Sequence, residues 1–326
     1  METFAYSYYQ YRPVAHNLTS EWDFLYNKAH NEYLNYLATT GIVGLLTYLA
    51  VILTFVVWSG RKILNLKSKN SLLIAALLGS YVSYLVYNFF LFSVVIIAIF
   101  FYLFPALVFI ATDSLKLLKF PITNLIYRRP IYTKLTQGII ILSTTYLLFS
   151  VFKLWYADTI FNSGEKASDL GNPGRAYNLL TIATDLNPGE PFYRSELAYA
   201  AAAASASLKE TDATLSSELK DEALAQVNIT LKTSPRNVSF WRTTIRTYFE
   251  LTSLDKKYID ATLKALDYTI TLAPTDPKLY YNKALILESQ GKKDEEIKAL
   301  QQVIRLKPNY LEGLDQLKQA TASSKP

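Results

Sequence analysis

The chain has 326 residues, about half of them hydrophobic, with 33 Lys and Arg against 27 Asp and Glu and no cysteine. That length accommodates two domains, and the lack of cysteine excludes disulfides, thiolate metal sites and a cysteine nucleophile. The net charge of +6 does not describe a nucleic-acid-binding face: residues 158–326 carry 21 positive and 22 negative side chains, and the excess sits in segments 61–69 and 113–134, the pattern of cytoplasmic loops between membrane spans.

Met1–Thr19 is rich in tyrosine, carries Arg12-Pro13 and His16-Asn17, and reads as an extended or loop segment. From Ser20 the residues Trp22, Leu25, Tyr26, Ala29, Tyr33, Tyr36 and Leu37 recur at helical spacing. Ser20–Leu37 is therefore expected to be an amphipathic helix with His30 at the border of its apolar face. Residues 1–38 together are read as an extracytoplasmic loop and helix. An imidazole at a membrane surface can exchange a proton near neutral pH. It can equally be an interfacial histidine that only caps or hydrogen-bonds.

Four apolar stretches, about 39–59, 71–88, 92–111 and 135–156, each approach the roughly 20 helical residues that a bilayer core of about 30 Å requires. The second and third are separated at Asn88, where Phe89, Phe90 and Phe92 suggest a tight turn. Residues 39–157 are thus expected to be a transmembrane bundle. The positive-inside rule puts loops 61–69 and 113–134 in the cytoplasm and His30, the Asn88 turn and everything after Tyr156 outside.

Residues 158–320 repeat themselves. Pro188, Pro235, Pro274 and Pro308 end similar short motifs, and the last interval is 34 residues. Within the last unit Tyr280, Ala284, Leu287, Gly291, Leu300, Val303 and Pro308 alternate small and large apolar positions, and Glu296 stands where alanine is usual. The run Ala200–Ala204 offers a small-residue face to a neighbouring helix. Period and pattern resemble tetratricopeptide repeats, predicting four degenerate helical hairpins stable only as a stack, with a polar tail at 321–326. The fold class is all-α: a four-span transmembrane helix bundle followed by an α-solenoid. Such solenoids usually bind a protein segment or polymer in their groove, and the repeats can equally be a spacer with no ligand of its own.

A second resemblance begins at His30. His30-Asn31, then Tyr33-Leu34, Leu37, Gly41, Ile42, Gly44 and Leu45 resemble the signature of the O-antigen ligase and polymerase family of membrane glycosyltransferases, over about the first 110 residues. The resemblance implies transfer of a glycan from undecaprenyl diphosphate to a lipid, protein or polysaccharide acceptor on the outer face of the plasma membrane, with the repeats extracytoplasmic. It also implies membrane helices upstream, so that the chain would be the C-terminal part of a longer protein. In that chemistry His30 is the candidate general base, with Asn31 fixing nearby polar groups and Arg12 facing the diphosphate. His16 is the competing histidine, and Glu21, Asp23 and Glu32 are carboxylates that could orient an imidazole. No cofactor is implied, and two histidines without cysteine or an Asp-rich cluster fall short of usual metal ligand sets. The expected partners are the lipid-linked donor, the acceptor, membrane lipids and a protein or polysaccharide ligand of the repeats. The reading from another class is a non-catalytic, membrane-anchored repeat scaffold for cell-surface assembly.

Overall fold

Among the described residues of the computed structural model, which are 4–26, 28–64, 70–112, 114 and 130–322, regular structure is helical throughout. They divide into two units, one of Met1–Ala5 and Tyr26–Gln137, the other of Tyr6–Leu25 and Gly138–Pro326.

In the first unit α2 (Glu32–Leu64), α3 (Ser71–Phe90) and α4 (Val95–Ala111) pack around Tyr48, Ile52, Phe55, Ile74, Tyr81, Tyr84 and Val108. The outward faces are apolar as well: Val43, Leu72, Val95 and Ile96 are 74–87% exposed. Among the described residues three helices are long and apolar enough to cross a membrane, Glu32–Leu64, Ser71–Phe90 and Ile131–Asp169, while Val95–Ala111 is shorter. Gly41 interrupts α2 with φ 70° and ψ −174°, a kink that only glycine adopts without strain.

In the second unit α5 (Pro130–Asp169, from residue 138 on) and α6 (Pro173–Leu186) form the first hairpin. Helices α7 (Pro191–Leu208) and α8 (Ala213–Thr233) form the second, α9 (Val238–Leu251) and α10 (Lys257–Leu272) the third, and α11 (Pro277–Ser289) and α12 (Lys293–Leu306) the fourth. Helix α13 (Leu311–Ala322) packs on α12. The chain chemistry explains the punctuation. Asn172, Glu190, Asp212, Asn237 and Asp276 accept from the first backbone N–H groups of their helices, and Pro173, Pro191 and Pro277 occupy first-turn positions where no N–H is needed. Gly171 and Gly291 take φ of 69° at the tight turns inside the first and fourth hairpins, where the following N–H reaches back to Ala167 O and Leu287 O. Ala200, Ala201, Ala202 and Ala204 are all buried, so α7 closes on its neighbours as the alanine run predicts.

Several boundaries differ from those expected. The described part of Met1–Thr19 is not a loop: it holds α1 (Phe4–Tyr11) and a 3-10 turn (Val14–Leu18). Ser20–Leu37 is not one amphipathic helix, because the helix begins only at Glu32, after a turn at 20–23 and irregular backbone at 24–26 and 28–31. Asn88 is no turn but a buried residue inside α3, and the chain reverses at Leu91–Val94. No break separates a span at 135–156 from a repeat domain at 158, since α5 is continuous through both. The basic residues Lys67, Lys69, Lys116, Lys119, Arg128 and Arg129 lie outside the described residues, as does the tail from residue 323.

Candidate functional site

His30 lies in the first unit, two residues before α2, with its side chain exposed. Its ring meets the edges of Tyr26 and Phe92 at centroid distances of 5.7 and 5.3 Å. The backbone around it is held on the α3–α4 reversal. Asn31 accepts from Leu34 N at 3.0 Å, capping α2, and donates to Phe89 O at 2.8 Å. Glu32 N donates to Leu91 O at 3.2 Å, and the Glu32 carboxylate accepts from Ser93 N at 3.0 Å. Asn31 and Glu32 therefore position the segment through backbone groups, and His30 projects from a fixed peptide. An open apolar groove of about 780 Å³ runs between the helices from Thr47 to Trp58, lined also by Tyr102, Pro105 and Phe109. It begins roughly 20 Å along α2 from Glu32, at 1.5 Å per residue, so the histidine does not line it.

Arg12 and His16 belong to the second unit, where they serve a different purpose from the one expected. Arg12 is only 4% exposed and donates to Trp22 O (3.0 Å), Thr275 O (3.1 Å) and the Asn17 side chain. A guanidinium engaged by these three acceptors inside the fold does not face a diphosphate. His16 packs its ring edge-on to Tyr8 and accepts from Thr19 through its carbonyl. Asp23 pairs with Lys278 and lies 4.0 Å from Arg242, and Glu32 is engaged at Ser93, so neither orients an imidazole.

These contacts reveal an arrangement the sequence reading missed. Tyr6–Leu25 is a strap laid along three successive turns of the repeats. At the α8–α9 turn Gln10 accepts from Arg236 at 3.1 Å. At the α10–α11 turn Thr275 Oγ1 donates to Arg12 O at 3.1 Å and Asn17 donates to Thr275 O at 2.8 Å. At the α12–α13 turn Asn17 donates to Leu306 O at 3.1 Å, and Lys307 donates to Asn17 O at 2.6 Å. Tyr9 is buried against Val238, Leu279 and Ile286, and this burial pushes its phenol well above the usual range. Trp22 lies 5.4 Å from the Tyr310 ring, with the ammonium groups of Lys278 and Lys307 5.5 and 4.5 Å from its centroid. Burial pushes the Lys307 ammonium below the usual lysine value, opposed by Glu312.

A second polar group sits on the first helices of the hairpins. Arg246 stacks over Tyr199 at 3.9 Å and lies 3.8 Å from Glu196, which also accepts from Thr243 at 3.0 Å. Burial raises the Glu196 carboxyl above its ordinary range against the pull of Arg246 and Thr243, and Glu165 is raised by burial and by Glu196 and Asp169. No group of three or more His, Asp or Glu that could hold a metal occurs among the described residues.

Residues 277–310 match the tetratricopeptide repeat family, and they span the fourth hairpin and the turn after it, so the C-terminal part of the chain carries this repeat. Among solved structures the chain is similar to a tetratricopeptide-repeat protein from Thermus thermophilus, with 20% identity over 51% of this chain and 82% of that one and a TM-score of 0.39. It is also similar to MamA, with 16% identity over 49% and 83% and a TM-score of 0.36. A MamA segment from Desulfovibrio magneticus shows 19% identity over 51% and 89%, again with a TM-score of 0.36. No curated protein matches the chain.

Proposed function

We propose that the chain is a membrane-anchored repeat scaffold that holds a protein partner at the cell surface. The observation that carries this reading is the stack of four hairpins, matched by the repeat family at 277–310, in one chain with helices whose outer faces are apolar. Ile139–Leu142 and Tyr146–Phe149 of α5 are each more than half exposed, a surface suited to lipid rather than water. Repeat arrays of this kind bind through extended faces because each hairpin contacts only its neighbours. The localisation that fits is the plasma membrane, multi-pass, with the repeats extracytoplasmic. To test it, photoreactive residues are placed at exposed Phe249 and Leu285 of the full chain in its own membrane. A discrete protein adduct is expected at one or both, and a chain that cross-links only to lipid from both would sink the scaffold.

Glycan transfer of O-antigen ligase type, from an undecaprenyl diphosphate donor, is a second reading favoured by one observation. His30 is exposed on a backbone pinned by Asn31 and Glu32, which suits a group that must reach an acceptor hydroxyl. Arg12 takes no part in it. His30→Ala should then abolish transfer while leaving expression intact, and unchanged surface glycan would remove this reading.

A further inference from the structure

We infer that the turn edge covered by Tyr6–Leu25 is a recognition site for aromatic, acidic protein segments, closed in cis by the chain's own strap. The inference rests on the scaffold reading and names the partner chemistry. The edge presents Arg236, Arg242, Lys278 and Lys307 from successive hairpins, and its carboxylate Asp276 is already paired with Arg242. What the strap offers back is an aromatic ring and a carboxylate side by side: Trp22 between Lys278, Lys307 and Tyr310, and Asp23 on Lys278. Lys307 is 6% exposed, and the strap supplies its hydrogen-bond acceptor, Asn17 O, and the ring beside it. Uncovering the edge takes from Lys307 its acceptor and the ring beside it, so the occupant that best replaces the strap supplies π electrons and negative charge.

The strap is held at a few points. Tyr11, Val14, Leu18 and Phe24 are 44–77% exposed, so its hold is concentrated in Tyr9, Arg12, Asn17, Trp22 and Asp23. The hairpin interiors, with Leu266, Leu279, Leu287 and Leu300 fully buried, are made almost entirely by the repeats themselves. A partner segment carrying a tryptophan-aspartate pair or its equivalent would compete with the strap for the same cations.

The test uses the full chain in nanodiscs and, as probe, a fluorescent synthetic peptide with the sequence of residues 6–25. The chain carrying Trp22→Ala and Asp23→Lys should bind the peptide at least tenfold more tightly than the wild-type chain does. Adding Lys278→Glu and Lys307→Glu should remove that binding. An opened chain of unchanged helicity that takes up no more peptide than wild type, or binds regardless of the charge reversal, overturns the inference. Should the opened chain lose helicity, Asn17→Cys in the otherwise wild-type chain decides, since position 17 of the strap is fully buried: excess peptide must speed its alkylation at least threefold, and an unchanged rate overturns it. Adducts at Phe249 or Leu285 without peptide uptake would sink this site and spare the scaffold.

Discussion

Arg12 and Thr275, 263 positions apart, hold each other by two hydrogen bonds: the guanidinium donates to Thr275 O, and Thr275 Oγ1 donates back to Arg12 O, both at 3.1 Å. This reciprocal pair joins the strap to the repeats. Arg12→Ala leaves Thr275 O and Trp22 O without their charged donor in a buried setting, and should destabilise the repeats by about 1–3 kcal/mol. The loss is read by thermal unfolding of the full chain monitored through tryptophan fluorescence, and an unchanged melting curve would show that the pair contributes nothing.

Gly164 on α5 faces Leu180 on α6 so closely that an added Cβ would lie 2.8 Å from Leu180 Cγ, and Leu180 is 1% exposed with nowhere to move. Gly164→Val should therefore cost about 1–3 kcal/mol by overpacking, measured by denaturant unfolding. Gly174→Val, at a glycine with open space around it, serves as the control and should stay nearer to wild type.

Gly41 carries the kink of α2 at φ 70° and ψ −174°. A side chain there is strained whatever the space around it, at a cost of about 1–3 kcal/mol. Gly41→Ala should lower the melting temperature of the purified chain in detergent, whereas Gly60→Ala, with ordinary helical φ and open space, should not.

Glu196 and Glu165 both hold their protons more tightly in the folded chain than the ordinary glutamate value of 4.5, through burial. A carboxyl with a raised folded pKa contributes stability that is present in full below the unfolded value and is lost as pH rises through the folded one. Glu196→Gln removes that group's titration. The stability of the wild type relative to Glu196→Gln should therefore fall as pH rises above 4.5. Melting curves of the two chains that stay parallel over this range would refute the assignment.

Membrane topology follows from the strap. Tyr6–Leu25 and the repeats belong to one unit, so the proposed membrane-anchored reading requires an even number of crossings between them. Helix α4 is short, 17 residues or about 26 Å, yet Asn70 at the start of α3 donates to Ala111 O at the end of α4 at 2.8 Å. The two helices therefore run alongside each other over their length, and the membrane-anchored reading then has α2, α3, α4 and α5 crossing in turn. Single cysteines at Ser20 and Thr211 should react with an impermeant thiol reagent from the same side, and one at Ser68 from the other. Labelling of Ser20→Cys and Thr211→Cys from opposite sides would exclude this topology.

The repeat architecture was legible because it is local. Pro188, Pro235, Pro274 and Pro308 each fall between hairpins, Gly291 takes its positive φ where the 34-residue pattern puts a tight turn, and Ala200–Ala204 lies in a packed helix. Glu296, conspicuous at a position usually alanine, is fully buried with Lys293 Nζ 3.2 Å from Oε2, so even the departure marked a core position. The apolar helices were legible for the same reason, since length and hydropathy need no partner to be read. Residues 20–37 misled because their helical spacing is real but their partners are not shared: Trp22 packs on Tyr310 and Tyr26 on His30.

What the amino-acid order determined by itself was the run of repeat hairpins, the turns their prolines and Gly291 mark and the apolar helices, because each depends on residues near one another in the chain. Where Arg12, Asn17 and Trp22 find their partners was decided only by tertiary structure. Their acceptors and cations at Thr275, Leu306 and Lys307 lie more than 250 residues away, and become neighbours only when the hairpins stack and bring three turns onto one edge. No local pattern records that proximity, so an arginine that looked free to meet a diphosphate proved to be a buried clasp.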